Sequence, residues 1–443
     1  MRSNQGEKRK STIVVSNCLK ALVLGMVSVA FVAAFSIAAT PAKAGKADDE
    51  IVICAIDSTS GDFSIMSSPK HFAYQMAAEE INAAGGIFVD GAQKKIKVVG
   101  YDGQSTVKRY QELAQRCVYD DEADVVFAAY TGAEREAARR EVIKAKTIYW
   151  HNNQGEGGIA DHYSFFSGAT GQQQVLPSVK WMIENVGPKI YFIGADYVYC
   201  RAMGDWVRTA ANLYGGEVLE EEYFPFGVAQ WQATIDKIRR AGPDFQAHCL
   251  VGAAQVEFYP QSQAAGMTMP MWSMVTISDG YEHKRFSPPA LNNMYATIGY
   301  SEDVPHPNNA PFIKRFRERF PDETKFPYIN QGAGFGWTAT YAMAEAWKRA
   351  GTTETEAVIK ALEEDIEIAD SPGGRWVLRG AVHHAGQHTY LYKIDENHNL
   401  TLAADLGYSE PTFLQDIGVD MRKKSPGRAF LPRDNPEWAG FFK

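Results

Sequence analysis

Short apolar runs alternate with amphipathic helical patterns along most of the chain. Residues 50–56 are almost entirely apolar and rich in β-branched side chains, which is typical of a strand buried on both faces. A helical pattern follows over residues 69–84 and ends at Gly85-Gly86. Further strands are predicted at 95–101, 124–129 and 147–150, with helices at 107–118 and 134–145. This order predicts a parallel sheet covered by helices.

A second series of the same kind begins at residue 189. Its predicted strands lie at 189–194, 217–223, 245–251 and 269–275, and its helices at 203–214, 230–241 and 256–265. Beyond Tyr300 the pattern changes to helices at 310–320, 333–350 and 354–364, late strands at 376–378 and 389–394, and a Pro-rich tail. Two such series predict an α/β protein with two parallel-sheet lobes.

The first 44 residues have the three parts of a secretory signal. Residues 1–20 are polar and basic, residues 21–39 carry no charge, and Ala42-Lys43-Ala44 is a small-x-small cleavage pattern. We therefore predict an exported protein that is cleaved after Ala44. The alternative is an uncleaved anchor, because an apolar run of this length can span a bilayer.

The predicted segments are a signal peptide at 1–44, lobe 1 at 45–165, the main part of lobe 2 at 166–298, a return to lobe 1 at 299–370, a hinge crossing with late strands at 371–403, and an irregular C-terminal tail at 404–443.

Charge and motifs exclude several classes of protein. The chain has 45 Lys and Arg against 53 Asp and Glu, a net charge of −8, which argues against a nucleic-acid-binding protein. Signatures of serine hydrolases, zinc proteases and P-loop enzymes are missing from the sequence. The glycines at 332–336 follow no predicted strand, and the histidines at 383–388 have no cysteine nearby. We therefore predict no enzyme, no cofactor and no metal site.

Four cysteines follow the N-terminal segment, namely Cys54, Cys117, Cys200 and Cys249. None belongs to a C-x-x-C pair, and all lie in or near apolar runs. The sequence favours buried, reduced side chains. An export compartment also permits a disulfide, for which Cys54 and Cys117 are the alternative.

Hydroxyl, amide and aromatic side chains cluster where the predicted strands end. In open α/β sheets ligands bind at the carboxyl ends of the strands. These residue types are also common in ordinary turns, but turns rarely collect several large aromatics. The candidate ligand-binding residues are Ser58, Tyr130, Thr131, Gly132, Trp150, His151, Asn153, Gln154, Tyr197, Tyr199 and Asp279.

Four segments carry a resemblance to a known family. They are the run EEINAAGGI at 79–87, residues 166–177, residues 192–199 with Arg201, and residues 215–223. In this order the chain resembles the periplasmic solute-binding proteins of ABC transporters in the branched-chain amino acid, amide and urea group, and is most similar to the urea- and short-chain-amide-binding members.

The resemblance implies two Rossmann-like lobes joined by three crossings, which close on one small polar solute in the cleft. It further implies delivery of that solute to a membrane permease, a periplasmic location, and a monomer or weak dimer. A ligand sensor of the same fold and, more remotely, an exported amide hydrolase are the alternatives.

The resemblance also assigns roles to several candidate residues. Tyr130 matches the family's aromatic at the end of the third strand, and Tyr197 and Tyr199 match aromatics of the second lobe. Gly132 stands where many members have a serine, and Asp279 lies where amino-acid binders place an acid for the ligand's ammonium group. His151, if it faced the ligand, would make binding depend on pH.

Overall fold

The computed structural model describes residues 46–279, 281–325 and 327–442. The predicted signal peptide, its cleavage site and the alternative membrane anchor lie outside these residues. Within them, no helix is both long and apolar enough to cross a membrane.

Strands from the first third of the chain form one half of a large sheet. The strands are β1 (Glu50–Asp57), β2 (Ile87–Val89), β3 (Ala92–Asp102), β4 (Val125–Ala128), β5 (Ile148–His151), β6 (Ile159–Ala160) and β7 (Ser164–Phe166), and the helices are α1 (Ser64–Ala83), α2 (Val107–Tyr119) and α3 (Gly132–Lys144). The strand order in this half is β2-β3-β1-β4-β5-β7, and the pairs are parallel except for the β2-β3 hairpin. Apolar clusters on both faces of β1 and β4 explain the continuous apolar runs in the sequence.

The next part of the chain forms the other half of the sheet. The elements are α4 (Gly171–Asn185), β8 (Lys189–Ala195), α5 (Val198–Tyr214), β9 (Glu217–Phe224), α6 (Gln232–Ala241), β10 (Phe245–Cys249), α7 (Ala253–Ala264), β11 (Met271–Ser273) and β12 (Met294–Ile298). The strand order in this half is β12-β11-β10-β8-β9, and each of these pairs is parallel. Short 3-10 helices at Thr276–Asp279 and Glu282–Arg285 join β11 to β12.

The remaining elements complete and connect the two halves. They are α8 (Asn309–Arg319), α9 (Gln331–Ala350), α10 (Thr355–Leu362), β13 (Ile366–Ile368), β14 (Trp376–Arg379), β15 (His384–Ile394), β16 (Leu400–Ser409), α11 (Phe413–Asp416) and β17 (Arg428–Ala429). Strand β15 pairs with β7 through His384 and Phe166, and antiparallel to β12 through residues 390–393. It therefore joins both halves into one sheet. The predicted limits of the lobes and of the hinge crossing stay predictions.

The glycine run at 332–336 serves packing inside α9. A Cβ added to Gly336 would lie 2.5 Å from the Tyr74 ring on α1, and one added to Gly334 would lie 2.6 Å from the Tyr300 ring. Glycine therefore lets α9 approach its neighbours closely.

The cysteine prediction was wrong in favouring reduced side chains. Cys54 on β1 is bonded to Cys117 on α2, as the alternative had it, and Cys200 on α5 is bonded to Cys249 on β10. All four side chains are buried. Each bond fastens a helix to the strand beneath it.

The tail is ordered by packing, where the sequence predicted an irregular segment from residue 404. Strand β16 runs on to Ser409, and β17 pairs with β6. The Trp438 indole packs against Phe413 and Trp206 at centroid distances of 6.0 Å and 5.7 Å. Local sequence patterns miss this order because the tail lies on surfaces made by distant residues.

Candidate ligand-binding site

The carboxyl ends of strands from both halves of the sheet surround a cavity of about 210 Å³. Residues after β4 and β5 line one side, and residues after β8, β10 and β11 line the other. The lining consists of Phe63, Val107, Tyr130, Thr131, Gly132, Ala133, Arg135, Asn153, Gln154, Tyr197, Tyr199, Phe226, Val251 and Val275. This is the edge at which open α/β sheets bind ligands.

Seven of the eleven predicted residues line this cavity, namely Tyr130, Thr131, Gly132, Asn153, Gln154, Tyr197 and Tyr199. The prediction missed three notable members of the lining. Arg135 lies one helical turn beyond Gly132 and could have been found by i, i+3 spacing. Phe63 directly follows the first predicted loop, and Phe226 follows the end of β9. The signal available was an aromatic side chain in the loop that follows a strand, six residues after β1 for Phe63 and two after β9 for Phe226.

Two predicted residues are used inside the protein, away from the cavity. The Ser58 hydroxyl lies 2.9 Å from the Tyr110 hydroxyl and accepts from the Ser105 amide at 2.8 Å. Trp150 is fully buried in the core, with its ring stacked on Phe165 at 5.5 Å. The predicted strand ended at Trp150, but β5 continues to His151, and both residues lie within the sheet.

His151 is also separated from the cavity. Its Nδ1 lies 3.2 Å from the Ala128 carbonyl oxygen, and the side chain is 1% exposed. Burial lowers the pKa of His151 well below its ordinary value, and the positive charges of Arg135 and Lys70 lower it further. The imidazole is therefore neutral around pH 7, and His151 does not meet the condition, contact with the cavity, on which the expected pH dependence rested.

Asp279 lies behind the cavity wall. Its carboxylate accepts hydrogen bonds from the Tyr130 hydroxyl and, at 2.6 Å, from Gln331 Nε2. Burial raises the pKa of Asp279 to about 7, although both hydrogen bonds oppose that shift. Asp279 thus holds the Tyr130 ring in place, and its oxygens are already engaged.

A buried ion pair fixes the chain where Tyr130 begins. Lys70 on α1 lies 2.7 Å from the Asp57 carboxylate and donates at 2.8 Å to the carbonyl oxygen of Ala129. Ala129 has a φ of +78°, which a non-glycine residue rarely adopts. Asn153 Nδ2 then donates to the Tyr130 carbonyl oxygen at 3.1 Å. These contacts set the direction in which Tyr130 leaves β4.

Arg135 is the one charged residue in the lining among the residues that the structure describes. Its guanidinium donates from Nη1 and Nη2 to the two carboxylate oxygens of Glu156 at 2.6 Å and 3.1 Å. A Cβ added to Gly132 would lie 3.3 Å from Glu156 Oε1 and 3.5 Å from Arg135 Nη2. The glycine therefore leaves the pair accessible from the cavity. Arg135 Nε also donates to Glu136 Oε1 at 3.2 Å. The guanidinium has five N–H groups and these contacts use three of them, so two can still donate to an anion.

Helix N-termini also face the cavity. Thr131 caps α3 by a reciprocal arrangement with Glu134, and Gly132 and Ala133 of the first turn are in the lining. Tyr197 precedes α5 and makes no side-chain cap. Helix N-termini carry partial positive charge and bind anions readily. Among the described residues, no aspartate or glutamate is in the lining, but Glu156 lies beside Arg135 and balances its charge. The positive partial charge at the cavity therefore comes from the helix N-termini.

A model of the periplasmic binding protein family matches residues 50–399. The chain belongs to this family. The solved structures of similar fold include substrate- and solute-binding proteins of transporters. The mostly parallel sheet is that of the type I periplasmic-binding fold, and the fold-class prediction is confirmed.

Three solved structures illustrate the likeness. The branched-chain amino acid transporter substrate binding protein of Streptococcus pneumoniae, in complex with isoleucine, is 18% identical with a TM-score of 0.68, over 81% of this chain and 99% of that chain. A solute-binding protein from R. palustris in complex with benzoate is 19% identical with a TM-score of 0.66, over 82% and 97%. Another from Rhodopseudomonas palustris, with 3,4-dihydroxybenzoic acid, is 18% identical with a TM-score of 0.69, over 86% and 99%.

Proposed function

We propose that the protein is the periplasmic solute-binding component of an ABC importer, exported by a cleaved N-terminal signal and delivering its solute to a membrane permease. Family membership supports the binding role, and the cavity supports its location. Tyr130 and Asn153 follow strands of one half of the sheet, whereas Tyr197 and Val251 follow strands of the other. A solute that contacts both sets stabilises the arrangement in which they are close together.

The solute is a small organic acid with a flat, apolar body. The observation that carries this proposal is the lining, which among the described residues has five aromatic rings and one charged side chain, that of Arg135. Phe63 lies 5.3 Å from Tyr130, and Tyr197 lies 5.3 Å from Phe226 and 6.2 Å from Tyr199, measured between ring centroids. The complexes of similar fold with benzoate and with a dihydroxybenzoic acid agree with this chemistry.

Magnitudes show that the acid group is needed as well as the ring. Burying roughly 150 Å² of an aromatic ring contributes about 4 kcal/mol, which corresponds to millimolar affinity. Micromolar affinity needs about 8 kcal/mol. Charge-assisted hydrogen bonds from Arg135 and the first turn of α3 would supply the difference. The urea or amide ligand expected from the sequence stays a prediction. The lining favours an aromatic acid over urea, because urea has no apolar surface to place against these rings.

Titration calorimetry on the mature chain tests the proposal. Benzoate, 4-hydroxybenzoate, isoleucine, urea and acetamide are the ligands to compare. We expect micromolar binding of an aromatic acid, weakened at least tenfold by Tyr197→Ala. Phe88→Ala, which removes a ring 64% exposed on β2, is the matched control and leaves binding unchanged. Tight binding of urea with none of the aromatic acids would contradict the proposed ligand class.

The importer role needs a separate test. Cells lacking the gene should lose uptake of the labelled solute at low external concentration, and the wild-type gene should restore it. The Tyr197→Ala gene should restore uptake only at higher concentration. Unchanged uptake in the deleted strain would contradict the role in import.

A further inference from the structure

A second cavity of about 280 Å³ opens beside the first, in the same cleft. Phe63 lines both cavities, and Val251 of the first is followed directly by Gly252 of the second. We call the second cavity the acidic compartment, because Asp62, Glu257 and Glu282 line it. One basic side chain, Arg285, lines it beside these three acids, whereas the one charged side chain in the described lining of the aromatic cavity is Arg135.

Glu282 is the buried group of this compartment. Its side chain is 1% exposed, and one oxygen, Oε1, accepts from Arg285 Nη1 at 2.8 Å and from Gln255 Nε2 at 3.1 Å. The other oxygen, Oε2, is buried without a hydrogen-bond partner. A buried carboxylate oxygen with no donor costs free energy, which a ligand donor would recover.

The compartment fits an organic cation better than a metal ion. In the described ranges, the one group of three candidate metal ligands within 4.8 Å of one another is Cys54, Cys117 and Asp121, and those cysteines are bonded to each other. Met66 and Val256 contribute apolar walls beside the acids. An ammonium group brings its own N–H donors and can carry an apolar body, so it needs only one buried carboxylate.

We infer that the acidic compartment binds an organic ammonium group, which donates to Glu282 Oε2 while its apolar body lies against Phe63, Met66 and Val256. The inference rests on the proposed function only in placing the ligand in this cleft. The ammonium belongs either to the solute in the aromatic cavity, as its far end, or to a separate amine.

Burial raises the pKa of Glu282 to about 7, with the negative charge of Asp279 adding to the shift and Arg285 opposing it. The carboxylate is therefore mostly ionised at pH 8, where the test is made. The other acids of the compartment, Asp62 and Glu257, are exposed at its rim. They attract a cation without being desolvated, and their effect on affinity is screened by salt.

Calorimetry with four probes tests the inference: benzylamine, benzyl alcohol, 4-(aminomethyl)benzoate and benzoate. We expect at least one amine to bind, and Glu282→Gln to weaken that binding tenfold or more while leaving benzoate binding within twofold. Benzyl alcohol, which lacks the charge, should bind at least tenfold more weakly than benzylamine. Binding of benzylamine in the presence of saturating benzoate identifies a separate amine, whereas tight binding of the aminomethylbenzoate alone identifies one solute that spans both cavities.

Two further variants keep the result interpretable. Glu257→Gln changes an exposed residue and should weaken amine binding two- to threefold at low salt. Glu345→Gln removes an exposed carboxylate that is also paired with an arginine, Arg349 on α9, and should change nothing. If Glu282→Gln leaves every amine affinity unchanged, or if no amine binds, the inference is overturned. Failure of benzoate to bind, with the Glu282 effect on an amine intact, would instead contradict the proposed aromatic acid.

Discussion

Arg135 and Glu156 show how one buried pair can serve both stability and binding. Both side chains are almost fully buried. Replacing Arg135 by Met leaves the Glu156 carboxylate without its partner, and we expect a loss of about 3 to 5 kcal/mol in the free energy of unfolding. Arg135→Met with Glu156→Met should cost less than Arg135→Met alone, because no lone charge remains. Guanidinium unfolding without ligand measures both; additive losses would contradict the argument.

Asp279 should make stability depend on pH. Its pKa rises from an ordinary 3.8 to about 7 on folding, so the ionised form disfavours the folded state. The Asn variant keeps an acceptor for Gln331 and carries no charge. Its stability relative to wild type should therefore increase as the pH rises from about 4 to about 7, and stay constant above that.

The size of the Asp279 effect follows from the same values. At about 1.4 kcal/mol per pKa unit, the relative stability of Asp279→Asn can increase by at most about 4 kcal/mol in the free energy of unfolding. Chemical denaturation of wild type and Asp279→Asn at pH 4, 6 and 8 measures it. Phe88→Ala, which changes an exposed ring that does not titrate, is a control whose difference from wild type should be the same at all three pH values. A constant difference between Asp279→Asn and wild type would contradict the shift.

The sequence placed cavity residues correctly where they follow the end of a strand, and incorrectly where they are the last residues of the strand itself. Tyr130, Asn153 and Tyr197 follow β4, β5 and β8, and all three line the cavity. Trp150 and His151 belong to β5 itself, whose four residues are buried on both faces. An apolar run does not show at which residue its strand ends, so aromatics at that end were assigned to the cavity although they belong to the core.

Disulfides fasten one helix to the sheet in each half. Replacing Cys54 and Cys117 by Ala opens a loop with a sequence separation of 63, and we expect a loss of about 2 to 4 kcal/mol in stability. Replacing Cys200 and Cys249, with a separation of 49, should cost a similar amount. Intact mass before and after reduction counts the bonds, and thermal unfolding of the two double variants measures their effect. A mass that does not change on reduction, which means that the four thiols were already free, would contradict both bonds.

Helices and strands were predictable where the pattern is local. Strand β1 and helix α2 have nearly the predicted bounds, because burial on one or both faces leaves a period in the sequence. The pairing of Cys200 with Cys249 was not predictable, since it depends on how α5 packs over the sheet and brings Cys200 next to the end of β10. Strand β17 has two residues, both exposed, and exists only through its pairing with β6.

Across the whole molecule, the tail connects parts that are far apart in sequence. Phe430 donates its amide to the Gly158 carbonyl oxygen at 2.8 Å, next to the β6-β17 pair. Arg433 donates to Asp205 on α5, at 2.8 Å from Nε and 2.5 Å from Nη2. The tail thus lies over both α5 and the segment between β5 and β7. These are the elements that carry Tyr199 and Asn153 at the cavity.

Trp438 is connected to the cavity residue Arg135 through two intervening residues. Its ring packs on Trp206, whose indole Nε1 donates at 3.1 Å to the carbonyl oxygen of Glu156, the partner of Arg135. Since Trp438 is only partly buried, Trp438→Ala should cost about 1 to 3 kcal/mol in stability. It should also weaken binding of the aromatic acid several-fold, which Phe88→Ala should not. Thermal unfolding and calorimetry on the same samples measure both effects; a stability loss with unchanged affinity would mean that the tail supports α5 without positioning Arg135.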